Sequence, residues 1–156
     1  MVCAMDEIVQ RGMVKWPDVP DVYGWLALDR RGNWILRGER IANQALREFI
    51  GRNYQPDAQG RWFFQNGPQR VFVKLAYTPL VVRHEGKALI DQCGRGFVAN
   101  DRFLDEQGSV LLLGKPGIAL LDDRDLERYA DDAGSLRRIE SREIPIQFGF
   151  VADPAA

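Results

Sequence analysis

"LDRRGNWILRG", residues 28–38, returns seventy-six positions later as "LDEQGSVLLLG", residues 104–114. In both stretches an Asp (Asp29, Asp105) opens the turn, a Gly (Gly32, Gly108) stands fourth, and a second Gly (Gly38, Gly114) closes the returning strand. Asp first and Gly fourth are the preferences of a type I turn, with Gly able to take the positive φ that lets the chain fold back. Each copy therefore reads as a hairpin. In the first, Trp25 to Leu28 runs in and Trp34 to Arg37 runs back.

The segments C-terminal to the two hairpins are also alike. After "GERI", Asn43 is a plausible N-cap, and Ala45, Leu46, Phe49 and Ile50 share one face of a helix ending near Asn53. "RWFFQ" and "RVFVKLAY" then read as strands joined at Asn66-Gly67, a strong turn signal, and "PLVVRH", "EGK", "ALIDQ" add another hairpin. After the second copy, "GKPG" turns into "IALL". Asp122 then caps a helix with Leu126, Tyr129, Ala130 and Ala133 on one face and Asp125 at the capping-box position. Ile146, Phe148 and Phe150 alternate as a closing strand, in the manner of Val71, Val73 and Leu75. Hairpin, helix, strand thus occurs twice. The expected fold class is α+β: two related small domains from an internal duplication, each with antiparallel strands packed on one helix. The boundaries are a lead-in over 1–23, a first domain over 24–92 and a second over 93–156. Residues 3–13 suggest a short helix, which "WPDVPDVYG" ends because its prolines force an extended path.

Length and composition agree with this. A chain of 156 residues with 46% hydrophobic content and four Trp can bury a core, while halves near 75 residues would be marginal alone and should lean on each other. The net charge of −1 speaks against a general nucleic-acid binder. It conceals a contrast: residues 30–74 hold nine Lys/Arg against three acids, and residues 101–132 nine acids against four bases. Such asymmetry can join the halves, support self-association, make an anion site on one half, or simply mark solvated faces. The two cysteines, Cys3 and Cys93, form no disulfide framework, and the first residues resemble neither a signal peptide nor a membrane span. A cytoplasmic protein without a membrane span is the expectation.

Several segments resemble those of an uncharacterised proteobacterial family of unknown function: "WPDVPDVYG", "GNW" after the turn, "GERI" before the helix, "LREFI", "WFF", and an "RVFV" strand closing on "YTP", with "PGIALLDDRDLERYA" later. The resemblance covers roughly residues 14–130. It implies two tandem similar domains, the second superficially pleckstrin-homology-like, and a cleft between them suspected of holding a nucleotide-like ligand in a signalling role. The chain departs from that pattern where Arg31 precedes Gly32, Asn33 and Trp34 in place of the usual Asp-Gly. It departs again at Asn43, in place of an Arg, and at Gln69-Arg70, in place of Glu-Lys.

Chemistry-bearing motifs are sparse. His84, the single histidine, can act as a base near neutral pH, and paired with Cys93 it would support a nucleophile. A strand-end His and a small buried Cys explain the same residues. "CGRGF" lacks the strand-turn-helix context of a phosphate loop. Asp122, Asp123, Asp125, Asp131 and Asp132 suit a helix start without any metal. The richest stretch is "WFFQNGPQRVFVK": Trp62 as an aromatic platform, Asn66 and Gln69 as amides, and Arg70 with Lys74 as charge partners, with Arg83 or Arg95 as helpers. These residues compose the expected ligand site, near the domain interface, for an anionic and nucleotide-like molecule. A solvated strand face with Trp62 and Phe64 buried is the competing account. The reading is a non-enzymatic ligand-binding or signalling module with no catalytic residues, metal or cofactor. The alternatives are a protein partner or homo-oligomer, a Cys-His enzyme, and last a nucleic-acid binder.

Overall fold

The computed structural model of the chain describes residues 19–156; the expected helix over 3–13 and most of the lead-in lie outside the described residues. β1 (Val22–Leu28), β2 (Trp34–Leu36) and β3 (Glu39–Arg40) form a meander, α1 (Gln44–Arg52) comes next, and β4 (Tyr54–Pro56), β5 (Trp62–Asn66) and β6 (Gln69–Leu75) form a second meander. The two join into one sheet of order β3-β2-β1-β6-β5-β4. A second sheet comprises β7 (Leu80–Glu85), β8 (Ala88–Asp91), β9 (Gly96–Phe97), β10 (Asp101–Leu104), β11 (Val110–Gly114), β12 (Gly117–Leu121) and β13 (Arg137–Arg138). Its order is β13-β10-β11-β12-β7-β8-β9. The fold is α+β, with two mainly antiparallel sheets and few helices.

Apart from β13, the two sheets share one strand order. In each, two three-strand meanders meet through parallel neighbours, β1 with β6 and β7 with β12. This order decides which segments occupy matching places. The turn at Asp105 joins β10 to β11 and so corresponds to the β4–β5 turn at Asp57, not to the β1–β2 turn at Asp29. Residues 28–38 and 104–114 are therefore not corresponding segments. The segments that occupy matching places in the two sheets lie forty-eight positions apart, "DAQG" at 57–60 with "DEQG" at 105–108 and Pro68 with Pro116. β7 and β8, within the expected 24–92 domain, are hydrogen-bonded into the second sheet, so the chain changes sheet between Leu75 and Leu80.

The echo of 28–38 has a local cause, because one turn is built four times. At Asp29, Asp57, Asp91 and Asp105 the carboxylate Oδ1 accepts from the backbone N–H groups two and four residues on, at 2.8–3.0 Å. The glycine three residues after each Asp has φ between 79° and 82°. A type I turn ending in one left-handed residue is a standard three-residue hairpin loop, and the Asp side chain satisfies the N–H groups the turn leaves over.

α1 begins as expected, with Asn43 Oδ1 accepting from Leu46 N at 2.9 Å. It rests on the first sheet through buried Ile50 and through Phe49, which meets Phe64 edge-on at 5.4 Å; Leu46 is left exposed. Two other expectations change. The segment after Asp122 is a run of 3-10 turns, η1 (Asp123–Ser135), in place of an α-helix, although Asp122 does cap it by accepting from Arg124 N. Ile146 and Phe148 belong to a short helix, α2 (Ile144–Phe148), in place of a strand. Pro145 sits in its first turn, where its missing N–H costs nothing, and Gly149 ends it at φ 66°. Ile146 is 84% exposed, so the alternation of apolar residues there does not mark a buried strand face.

A single core spans both sheets, from Leu26, Trp34 and Tyr54 to Leu111, Leu120 and Ile144. The connection between sheets is itself buried: Thr78 Oγ1 donates to Leu80 O and accepts from Leu120 N. The C-terminal tail returns to the first sheet, where Val151 pairs with Arg61 and Ala152 O accepts from Leu75 N.

Candidate functional site

Where the β1–β2 turn and α1 meet the second sheet, a cleft of about 320 Å³ opens. Arg31 to Trp34 form one wall, and Gln44, Arg47 and Glu48 of α1 a second. Val81 to Arg83, Gln92 to Gly94, Asp122 and Arg124 close it from the other sheet. The turn approaches closely, since a Cβ on Gly32 would stand 3.0 Å from Gln92 Cβ. Gln92 is fixed between the sheets by accepting from Val81 N at 2.9 Å and donating to Pro79 O at 3.0 Å.

Four guanidiniums line this cleft, and they differ in how they are held. Arg124 is bidentate on buried Asp122 at 2.6 and 2.9 Å, and Arg31 on Asp123 at 3.0 and 3.2 Å. Arg83 reaches only Glu85 among the described residues, at 3.7 Å. Arg47 has a buried Nε with no hydrogen bond among the described residues, and so does the indole Nε1 of Trp34, a residue 1% exposed. A buried donor without an acceptor costs on the order of 1–3 kcal/mol, and both residues belong to the lining of this one cleft.

Asp122 makes the pH behaviour of this region predictable. Its pKa is lowered from 3.8, first by the Arg124 side chain and, against burial, also by the Arg124 N–H. A folded-state value below the unfolded one contributes stability that is present above about pH 4 and lost as pH falls through the depressed value. Asp122→Asn is expected to reduce the loss of urea resistance between pH 7 and pH 3; an unchanged acid limb would show that the pair adds nothing.

The residues expected to form the site fall in separate places. Arg83 lines the cleft. Arg95 lies beside it in the Asp91 turn, its NH2 donating to Gly51 O at 3.4 Å. Trp62 is buried, 4.9 Å from Tyr54. Asn66 and Gln69 border an apolar hollow of about 230 Å³ between α1 and the first sheet. Arg70 is bidentate on Asp21 at 2.9 and 3.0 Å and lies 5.3 Å from the ring of Phe72, which stacks on Tyr23. Lys74 is exposed on β6. Cys93 and His84 line different cavities: Cys93 packs on Gly51 beside the cleft, whereas His84 Nε2 bonds to Tyr129 OH at 2.9 Å. Among the described residues no group of three or more His, Cys, Asp and Glu is arranged to hold a metal, and no helix is long and apolar enough to cross a membrane. Arg31, Arg47 and Arg124 carry no signal of their own in the sequence; only the basic bias of residues 30–74 points toward the first two.

A family model described as "Protein of unknown function (DUF2946)" matches residues 5–155. The chain belongs to that family. No curated protein matches it. Among solved structures it is similar to a DUF1285 family protein from Silicibacter pomeroyi DSS-3, with a TM-score of 0.55 and 16% identity over 82% of this chain and 85% of that one. It is also similar to a DUF1285 family protein from Shewanella baltica OS155, with a TM-score of 0.52 and 14% identity over 69% of this chain and 91% of that one. At such identities the likeness is one of fold. It agrees with the resemblance to an uncharacterised bacterial family.

Proposed function

We propose that this DUF2946 family member is a non-enzymatic ligand-binding module of the cytoplasm, its two sheets descended from one duplicated unit, and that its inter-sheet cleft holds a small phosphorylated molecule in a signalling role. The observation that carries the reading is the pair of orphan donors, Arg47 Nε and Trp34 Nε1, lining one cleft with loosely held Arg83. Guanidiniums match phosphate oxygens in geometry and charge, and a ligand gripping both sheets would bias how they sit together.

Calorimetric titration of the full chain with pyrophosphate, and with adenosine monophosphate for the nucleotide-like class, tests this. Affinity is expected to fall about tenfold or more in Arg47→Ala and again in Arg83→Ala, as loss of charge-assisted hydrogen bonds worth roughly 1.5–3 kcal/mol implies. No heat at millimolar ligand, or affinity indifferent to both substitutions, overturns it. Salt-sensitive dimers in sedimentation would instead favour self-association, for which the exposed Trp25, Leu36 and Leu46 around the apolar hollow speak.

A further inference from the structure

A second cavity, of about 460 Å³, opens on the second sheet between β7, β8, the chain around β9 and η1. Its walls are of two kinds. Phe97 and Leu89 give an apolar floor, continued by Val98, which is 76% exposed. Lys87 and Arg102 bring two cations that have no ion pair among the described residues, and no carboxylate lines the cavity. The inter-sheet cleft, by contrast, carries Glu48 and Asp122 among its arginines.

His84 and Tyr129 complete the wall. Asp125 holds the strand end by accepting from His84 N at 2.9 Å, and Arg128 donates to Gly86 O at 2.9 Å, so η1 is pinned to the β7–β8 hairpin. Burial, then the charge of Arg128, lowers the His84 pKa against the pull of Asp125. His84 Nε2 and Tyr129 OH share a hydrogen bond of 2.9 Å, and Nδ1 is buried and has no partner among the described residues.

We infer that this cavity is a second binding site, independent of the inter-sheet cleft, for a small monocarboxylate with an aromatic or short aliphatic body. The body covers Phe97, Leu89 and Val98, and the carboxylate meets Arg102 and Lys87, with the imidazole on the same wall as the reporter. Apolar enclosure with a few convergent polar groups is the usual make-up of a small-molecule site, and the charge-assisted bonds select the anion over a neutral analogue.

His84 is the chain's single histidine, so its imidazole resonances report on this cavity without ambiguity. Phenylacetate, with benzyl alcohol as the uncharged match, is titrated into the full chain and into Arg102→Ala, a variant at an exposed position of β10 whose folding is checked by urea unfolding. The expected result is a saturable shift of the His84 signals with phenylacetate, about tenfold weaker binding of benzyl alcohol, and about tenfold weaker phenylacetate binding in Arg102→Ala. His84 signals that stay still up to about 10 mM phenylacetate, or that respond equally to benzyl alcohol or equally in Arg102→Ala, overturn it. A shift abolished by Arg47→Ala does so too, since it would place the ligand in the inter-sheet cleft.

Discussion

Gly60→Ala is expected to destabilise the protein by about 4 kcal/mol or more, a large fraction of a total stability of about 5–15 kcal/mol. Gly60 has φ +79°, a region that costs an L-residue about 1–2 kcal/mol. The larger effect is steric. A Cβ at Gly60 would stand 2.1 Å from Gly149 O and 3.0 Å from the Cα of Phe150, and both are backbone atoms that no rotamer change can move. Relief requires the C-terminal tail to leave the first sheet, breaking the Val151 N to Gly60 O bond and freeing buried Phe150. Gly108→Ala is the internal control, since it has the same turn at φ +82° with nothing within 4 Å of the added carbon. Urea unfolding should show Gly108→Ala losing only about 1–2 kcal/mol. Equal losses in the two variants would mean that φ alone matters and the tail is not held there.

The contrast between those two glycines shows how far the sequence could be read. The Asp-x-x-Gly turn is legible because its chemistry is local: a carboxylate accepts N–H groups two and four residues on, and Gly supplies the left-handed residue. The same locality makes the turn a poor marker of repeat register. Four copies exist among the described residues, and the two quoted for their likeness, 28–38 and 104–114, belong to different places in the two sheets. Pairing of β7 with β12, rather than with the first sheet, depends on contacts from Leu80 to Ala119 that no local pattern encodes. At residues 144–150 the local signs are present but outvoted: Pro145 and Gly149 mark the start and stop of a helix, yet three alternating apolar residues suggest a strand.

The candidate sites are less legible, for a physical reason. The inter-sheet cleft draws Arg31 from a turn, Arg47 from a helix, Arg83 from a strand and Arg124 from the start of η1, and only the meeting of two sheets brings them together. The segment that looks richest in sequence, 62–74, has its best cation held by Asp21, forty-nine residues away. Alternation correctly puts Arg70, Phe72 and Lys74 on one strand face. What it cannot show is that Tyr23 stacks on Phe72 at 4.9 Å and that Arg61 lies over the same ring at 4.6 Å, covering a face that reads as solvated.

Tyr54→Ala is expected to cost about 3–5 kcal/mol, the range for removing a large buried aromatic ring, and to do so for both sheets at once. Tyr54 is fully buried, 4.9 Å from Trp34 in an edge-on contact and 4.9 Å from Trp62, and a Cβ on Gly117 of β12 would meet Trp62 at 3.9 Å. Burial holds the phenol pKa well above its ordinary value, so it remains a donor, and it gives its proton to Pro79 O at 2.7 Å in the connection between the sheets. Tyr54→Phe removes that bond alone. Because Pro79 O keeps Gln92 Nε2 as a partner, its cost should be near 1 kcal/mol. Tryptophan fluorescence and far-UV circular dichroism, monitored together in urea, should give coincident single transitions for the wild type and for both variants. Two separated transitions in Tyr54→Ala would show that each sheet stands on its own. A cost below about 1 kcal/mol would show that the cluster does not couple them. Coupling bears directly on the cleft, because Trp34 belongs to this cluster and to the cleft wall: a ring that loosens when Tyr54 is removed also releases the indole donor proposed to meet the ligand, so pyrophosphate affinity should fall in Tyr54→Ala and hold in Tyr54→Phe.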